Sequence, residues 1–423
     1  MKRIKNILIA IFQSGEARTL ASNFAWMSVL KIIGYVFPLI TLPYLSRVIG
    51  VDGFGEIAFA LSIIIFVETF VDFGFNYTAT RDIARCKEDI YEVSKIFSNV
   101  LWSKLLLMVV GFGILLLLIC TIPIFRSKQL LLLLTFLYIP GHILFPDWFF
   151  QAMEKMKYIT ILNVLSKTIF TVLIFVVIKS KEDYIWQPLL TAIGYFVCGI
   201  IAMYYILVQF NVKILKPNIG SIWDSIKGSA NMFISLILPN LYTNFSIILL
   251  RTTCGEIATG LYDAGYKFIS IFDQLIQVLS RTFYPFLARR IDKHKLYTYI
   301  AGVFSLLASV ALIAFAGVLV RIFYTPEFEN AIWVIRILSI APFSLFLMNT
   351  YGVNYLVLVG KERLYRNIIV VYSVLGFILT LIVTPLWSYI GMALTITVIW
   401  LLRGVTTFLF AQRHKRLAKI AEI

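Results

Sequence analysis

The chain has 423 residues, 60% of them hydrophobic and only 14% charged, with a mean hydropathy of +0.88 and a net charge of +16. This balance excludes a soluble globular domain and identifies an integral membrane protein. The positive charge does not point to nucleic acid: no basic stripe has a soluble module around it, and the basic residues of a multi-span protein collect beside anionic lipid.

In chain order, MKRIKNILIAIF has a basic start and a short apolar run, but QSGEARTL after it offers no convincing small-x-small cleavage site. Residues 1–21 therefore read as a retained cytoplasmic segment lying in the interface. Apolar runs of about 20 residues follow, each long enough to cross about 30 Å as a helix. The first six are Ser22–Leu45, Phe54–Tyr77, Phe97–Ile122, Gln129–Phe150, Tyr158–Ile178 and Ile185–Phe210. The second six are Ala230–Leu250, Ile257–Arg281, Leu296–Val320, Ala331–Val359, Ile368–Leu386 and Ser388–Ala411. The pattern predicts an all-α membrane protein of 12 transmembrane helices, with an N-lobe over 22–210, a cytoplasmic linker over 211–229, a C-lobe over 230–411 and a cytoplasmic tail over 412–423.

Lys and Arg in the connections set the orientation. One alternate set holds only Arg47, Arg126, Lys128, Lys179, Lys181, Arg251 and Arg321, while the other, which includes both termini, is far richer. Both termini are expected on the cytoplasmic side. No connection exceeds roughly 20 residues and no GxxxxGK[ST] loop occurs, which argues against an attached nucleotide-binding domain and against a polymerase with extramembrane catalytic loops.

Landmarks recur at an offset of about 205 residues: Gly50 and Gly55 in RVIGVDGFGEIA answer Gly255 and Gly260 in RTTCGEIATG, both at the entrance to the second helix of a half. Six spans per half give both halves the same topology, hence parallel repeats. Pro38, Pro140, Pro239 and Pro342 fall inside spans and are candidates for kinks. Trp148, Trp186, Trp387 and Trp400 near span ends read as interfacial anchors. Cys86, Cys120, Cys198 and Cys254 show no CxxC spacing, and His142, His294 and His414 are scattered, so neither a metal site nor a cofactor is expected.

Lys31, Lys104, Lys167, Lys267, Arg281, Arg336 and Arg403 lie inside the spans. At about 2.5–3.5 kcal/mol each, leaving them in lipid would cost on the order of 20 kcal/mol. They are expected to face water or an anion. Lys104 and Lys167, roughly two turns from the cytoplasmic face, read as snorkelling. Acids also occur at depth, Glu68 and Asp72 in the second span and Asp263 and Asp273 in the eighth; Asp263 precedes Lys267 by the four residues of an intrahelical pair. Asp72 and Asp263 are the candidates for binding a coupling proton or sodium ion.

PYLSRVIGVDGFGEIAFALSIIIF, VDFGFNYTATRDIAR and FFQAMEKMKYITILNVLSK resemble stretches of bacterial O-antigen (Wzx-type) polysaccharide flippases of the multidrug/oligosaccharidyl-lipid/polysaccharide exporter superfamily. The resemblance implies two six-helix lobes around a central cavity. It also implies a non-enzymatic inner-membrane protein that moves undecaprenyl-pyrophosphate-linked oligosaccharide to the outer leaflet by alternating access, alongside other polysaccharide assembly proteins. In that setting Lys31 and Lys267 are the leading substrate-binding residues, joined by Arg281, Arg336 and Arg403. A cation-coupled multidrug exporter of the same superfamily is the alternative; a polytopic glycan polymerase is a further one.

Overall fold

A computed structural model describes residues 15–289 and 291–421, without the side chains of 15–21, 23, 24, 28, 31, 32, 35, 281, 282, 285, 286, 288, 289, 292 and 418–421. Most of the expected N-terminal interfacial segment thus lies outside the described residues. The regular elements described are all helical. They are α1 (Gly15–Asp72), α2 (Phe75–Cys86), α3 (Ile90–Thr121), α4 (Pro123–Ser127), α5 (Gln129–Phe136), α6 (Tyr138–Leu144), α7 (Asp147–Ala152), α8 (Met156–Val177) and α9 (Gln187–Tyr204). After them come α10 (Ile219–Arg289), α11 (His294–Phe323), α12 (Ala331–Leu338), α13 (Ala341–Leu347) and α14 (Glu362–Ala421), with a π-helical stretch at Met348–Val357. Among the described residues, nine helical segments are long and apolar enough to cross a membrane. The chain is an integral membrane protein.

Three of the long helices are broken by one residue each: Gly50 in α1 (φ 65°, ψ −177°), Gly255 in α10 (φ 91°, ψ 178°) and Ser388 in α14 (φ 54°, ψ −141°). Positive φ with extended ψ is a region essentially reserved for glycine. The two glycines at the shared offset therefore make the same turn. Pro38 and Pro239 do not break the helices in which they lie; Gly50 and Gly255 are the non-helical residues there. Pro140 and Pro342 instead fall near the starts of short helices, α6 and α13, where a missing N–H costs little. A Cβ at Gly255 would meet nothing within 4 Å, so Gly255→Ala isolates the backbone strain. It should lower stability by about 1–3 kcal/mol, checked by unfolding of the purified protein in mixed detergent.

Contacts divide the chain into two units. The first takes the described residues up to Thr41, Val67–Lys179 and Ile185–Ile234. Here α9 packs on α6 and α8, and α2 packs on α3 and α7. Asp89 caps α3 by accepting from the N–H groups of Tyr91 and Glu92, which would otherwise lack partners. Ser94 and Ser98 on α3 accept from the N–H groups of Lys213 and Leu215 at 3.0 and 2.8 Å, and Trp102 Nε1 donates to the Leu215 carbonyl at 2.9 Å. These bonds satisfy the extended backbone after α9. Helix α10 then starts at Ile219, where the Asn218 side chain accepts from the N–H of Ser221 at 3.1 Å.

The second unit takes Leu42–Phe66, Ser180–Tyr184 and the described residues from Ser235 onward. Here α14 packs on α12, α13 and the π-helical stretch. The wider π turn carries the buried Asn354, whose Nδ2 donates to Ser280 Oγ and the Tyr297 hydroxyl at 2.8 and 2.9 Å. The start of the second half of α1 also meets that of α10. A Cβ on Gly55 would fall 1.9 Å from the carbonyl oxygen of Glu256, and one on Gly260 would fall 2.1 Å from that of Val51. Each glycine thus touches the repeat counterpart of the residue that touches the other. Such reciprocity is the mark of a local two-fold relation. Arg251 braces this corner, with Nη2 at 2.6 Å from Glu56 Oε1 and 3.3 Å from Glu256 Oε2.

Candidate functional site

Among the described residues, a dense polar cluster within the membrane-spanning helices lies in the first unit. Glu68 and Asp72 lie one turn apart on the last turns of α1, and the break at Phe73 and Gly74, both at positive φ, still leaves Asn76 at the start of α2 within reach of Asp72. Lys104 of α3 points its ammonium at Asp72 Oδ1 (2.7 Å) and Asn76 Oδ1 (3.0 Å), and Asn76 Nδ2 donates to Asp72 Oδ2 (3.0 Å). His142 of α6 places Nε2 3.5 Å from Asp72 Oδ2 and 3.7 Å from Glu68 Oε1. Tyr138, one turn earlier, donates to Glu68 Oε1 at 3.1 Å, and its ring packs edge-on against Tyr195 of α9. Trp148 of α7 covers Lys104, with the ammonium 6.0 Å from the ring centroid.

Two expectations are corrected here. Lys104 does not snorkel: it is only 3% exposed and ion-paired, because its position on α3 turns it inward toward Asp72. Nor is His142 isolated, since the packing of α6 brings it to both acids. The ligand atoms of Glu68, Asp72 and His142 all lie within 4.8 Å of one another, close enough to share a proton or a small cation. With both acids ionised and Lys104 charged, the cluster is one charge short of neutral when His142 is neutral and balanced when His142 holds a proton. Of the acids named from sequence, Asp72 belongs to this cluster, while Glu68, noted only as a deep acid, is an equal member.

The remaining candidates fall in different settings. Asp263 and Lys267 of α10 form the intrahelical pair that their spacing suggests, and Lys267 Nζ lies 4.2 Å from the centroid of Phe54. Lys267 is therefore a neutralised cation. Arg336, at the end of α12, is exposed and lies over the exposed ring of Trp333 at 5.2 Å, a pairing that suits a membrane interface. Lys31 and Arg281 sit within α1 and α10, and their side chains are outside the described residues. Arg403 of α14 is the informative one. Its guanidinium lies against the hydroxyls of Tyr242 and Tyr365, its Nε is buried without a hydrogen bond, and no carboxylate pairs with it among the described residues.

Trp148 and Trp400 are also corrected from interfacial anchors to buried groups, at 3% and 6% exposure, the latter donating to the Tyr242 hydroxyl at 3.3 Å. Trp186 and Trp387 are exposed, as anchors are. The grouping around Tyr242 gave no signal in the sequence, because it joins residues from α10 and α14.

Residues 20–291 match the model of a family described as polysaccharide biosynthesis protein. The chain belongs to this family. Its relatives include a candidate O-antigen transporter of Escherichia coli (strain K12), 26% identical over 94% of this chain and 98% of that one. A second, from Shigella dysenteriae, is 26% identical over 84% of this chain and 90% of its own. As a fold, this polysaccharide biosynthesis protein is similar to the lipid II flippase MurJ in an inward closed conformation, with a TM-score of 0.75 at 14% identity, covering 92% of this chain and 87% of that one. It is likewise similar to an inward-facing multidrug resistance MATE family transporter of the MOP superfamily, with a TM-score of 0.65 at 14% identity, covering 93% and 100%. The resemblance read from PYLSRVIGVDGFGEIAF and its companions thus meets the family model and the relatives' names.

Proposed function

We propose that this protein is a flippase that carries an undecaprenyl-pyrophosphate-linked oligosaccharide from the cytoplasmic to the outer leaflet of the inner membrane by alternating access. Splitting α1, α10 and α14 at Gly50, Gly255 and Ser388 turns the nine long segments into twelve spans, read as two parallel six-helix lobes with both termini cytoplasmic. The observation that carries the functional reading is Arg403, a cation at membrane depth flanked by tyrosine hydroxyls and with no carboxylate among the described residues. Such a group replaces the hydration of a diphosphate with charge-assisted hydrogen bonds. Family membership and the relatives' names supply the polysaccharide.

Lys31, Arg281 and Lys267 are secondary candidates in this reading, Lys267 only if it exchanges Asp263 for substrate. The energy source has two parts. Outward movement of two negative charges across an inside-negative membrane gains roughly 2.3 kcal/mol per charge per 100 mV. The Glu68–Asp72–His142–Lys104 cluster, with an imidazole beside two carboxylates, takes a proton as the coupling ion. Asp263, already paired, is the weaker coupling candidate. A cation-coupled multidrug exporter is the second reading, favoured by the acidic pair Glu68 and Asp72 and by the MATE-like fold.

The test is mass spectrometry of undecaprenyl-linked glycans in a deletion strain. A complete repeat unit should accumulate, wild-type complementation should clear it, and Arg403→Gln should clear it at least tenfold more slowly. An unchanged lipid-linked pool in the deletion strain refutes the flippase reading, whereas full rescue by Arg403→Gln removes only the residue assignment.

A further inference from the structure

A second basic site lies in the second unit, lined by residues to which the transport reading assigns no role. Lys295 and Thr298 of α11, Tyr351 of the π-helical stretch, and Gln412, Lys415 and Arg416 of α14 line a cavity of about 280 Å³. That is near the lower limit for small-ligand pockets and suits a headgroup. None of the three cations pairs with a carboxylate among the described residues.

Lys415 is the most constrained. It is half-buried, with its ammonium 5.4 and 4.5 Å from the ring centroids of Tyr351 and Tyr355. Among the described residues, its ammonium has a hydrogen-bond partner in His294 Nδ1, at 3.2 Å. His294 Nε2 faces the Thr350 carbonyl at 2.9 Å, and a carbonyl only accepts, so Nε2 carries the hydrogen and Nδ1 offers its lone pair to Lys415. The imidazole is then neutral. Two ring faces and a neutral imidazole orient the ammonium without cancelling its charge. Lys295 and Thr298 add the first turns of α11, where backbone N–H groups favour negative charge.

The outer faces of both helices place this cavity at headgroup height. Along α14 the exposed residues Leu402, Val405, Leu409 and Phe410 are apolar, and from Arg413 onward the surface turns basic. Along α11 the order reverses, from exposed Lys295 to exposed Leu296, Tyr299, Ile300 and Val303. Both helices change from basic to apolar at the cavity. We propose that the pocket holds the phosphate of an anionic membrane phospholipid, whose acyl chains run along the exposed apolar side chains of α11 and α14. The proposal does not depend on the transport reading.

The test compares retention of dioleoyl-phosphatidylglycerol and dioleoyl-phosphatidylcholine by the purified full-length chain, read by native mass spectrometry. Each lysine is expected to contribute on the order of fivefold at an anionic lipid surface. Lys295→Gln/Lys415→Gln should therefore lose about 25-fold of its phosphatidylglycerol retention. Lys415→Arg, and Lys213→Gln/Lys216→Gln at exposed basic positions elsewhere, should lose less than threefold, and all variants should unfold at the wild-type temperature. Equal retention of the two lipids, or an undiminished phosphatidylglycerol adduct in the Lys295/Lys415 variant, would overturn the proposal. So would displacement of the lipid by millimolar inorganic phosphate, which would assign the pocket to a soluble anion.

Discussion

Replacing Lys104 with methionine should lower the stability of the purified chain by about 3–5 kcal/mol, the cost of leaving a buried carboxylate without its cation. The side chains of Lys104 and Asp72 are only 4% and 16% exposed, so water cannot take over the lost contact. Methionine keeps most of the aliphatic stem, which confines the change to the charge. Asn76 also loses the group that its carbonyl accepts from. Adding Asp72→Asn to Lys104→Met should restore more than half of the loss, since a neutral amide is far cheaper to bury than an unpaired carboxylate. Reversible unfolding in mixed micelles measures both steps. A single-variant loss below about 1 kcal/mol, the range of exposed pairs, would contradict the buried assignment.

Gly55→Ala and Gly260→Ala should each cost about 3 kcal/mol or more, at or beyond the upper end of overpacking changes. The reason is what the new methyl would strike: a backbone carbonyl at 1.9 Å in one case and 2.1 Å in the other. A flexible side chain could swing away, but these carbonyls belong to the helical backbone around Val51 and Glu256. Gly113→Ala is the control, because a Cβ there meets nothing within 4 Å, and helix propensity makes that change neutral or stabilising. Because the contacts are reciprocal, the double variant Gly55→Ala/Gly260→Ala should cost less than the sum of the singles. Once one methyl has forced the helices apart, the second fits. Additive losses would show that the glycines act at independent places.

These residues show where the sequence was sufficient. The long apolar runs and the offset between Gly50 and Gly255 marked the helices and their shared turn, because bilayer thickness and positive φ impose requirements on local sequence. The Asp263–Lys267 pair was likewise visible, being one helical turn long. Lys104 was misread because depth along a helix does not say which face a residue takes. That is decided by the packing of α2, α6 and α7 around it. His142 looked scattered for the same reason: its partners lie some seventy residues earlier. The role proposed for Arg403 rests on no carboxylate pairing with it among the described residues, and such an absence in three dimensions leaves no trace in spacing.

The most direct test of the central claim is flipping of a fluorescently labelled, polyprenyl-diphosphate-linked oligosaccharide in proteoliposomes, with the wild-type chain compared with Arg403→Gln under an imposed inside-negative potential and a pH gradient. Wild type should move the label across the bilayer, with the potential accelerating it and Glu68→Gln abolishing the response to pH. Arg403→Gln should be at least tenfold slower while folding normally. Transport of cationic dyes in place of the diphosphate lipid, or no movement of that lipid under either gradient, would contradict the account.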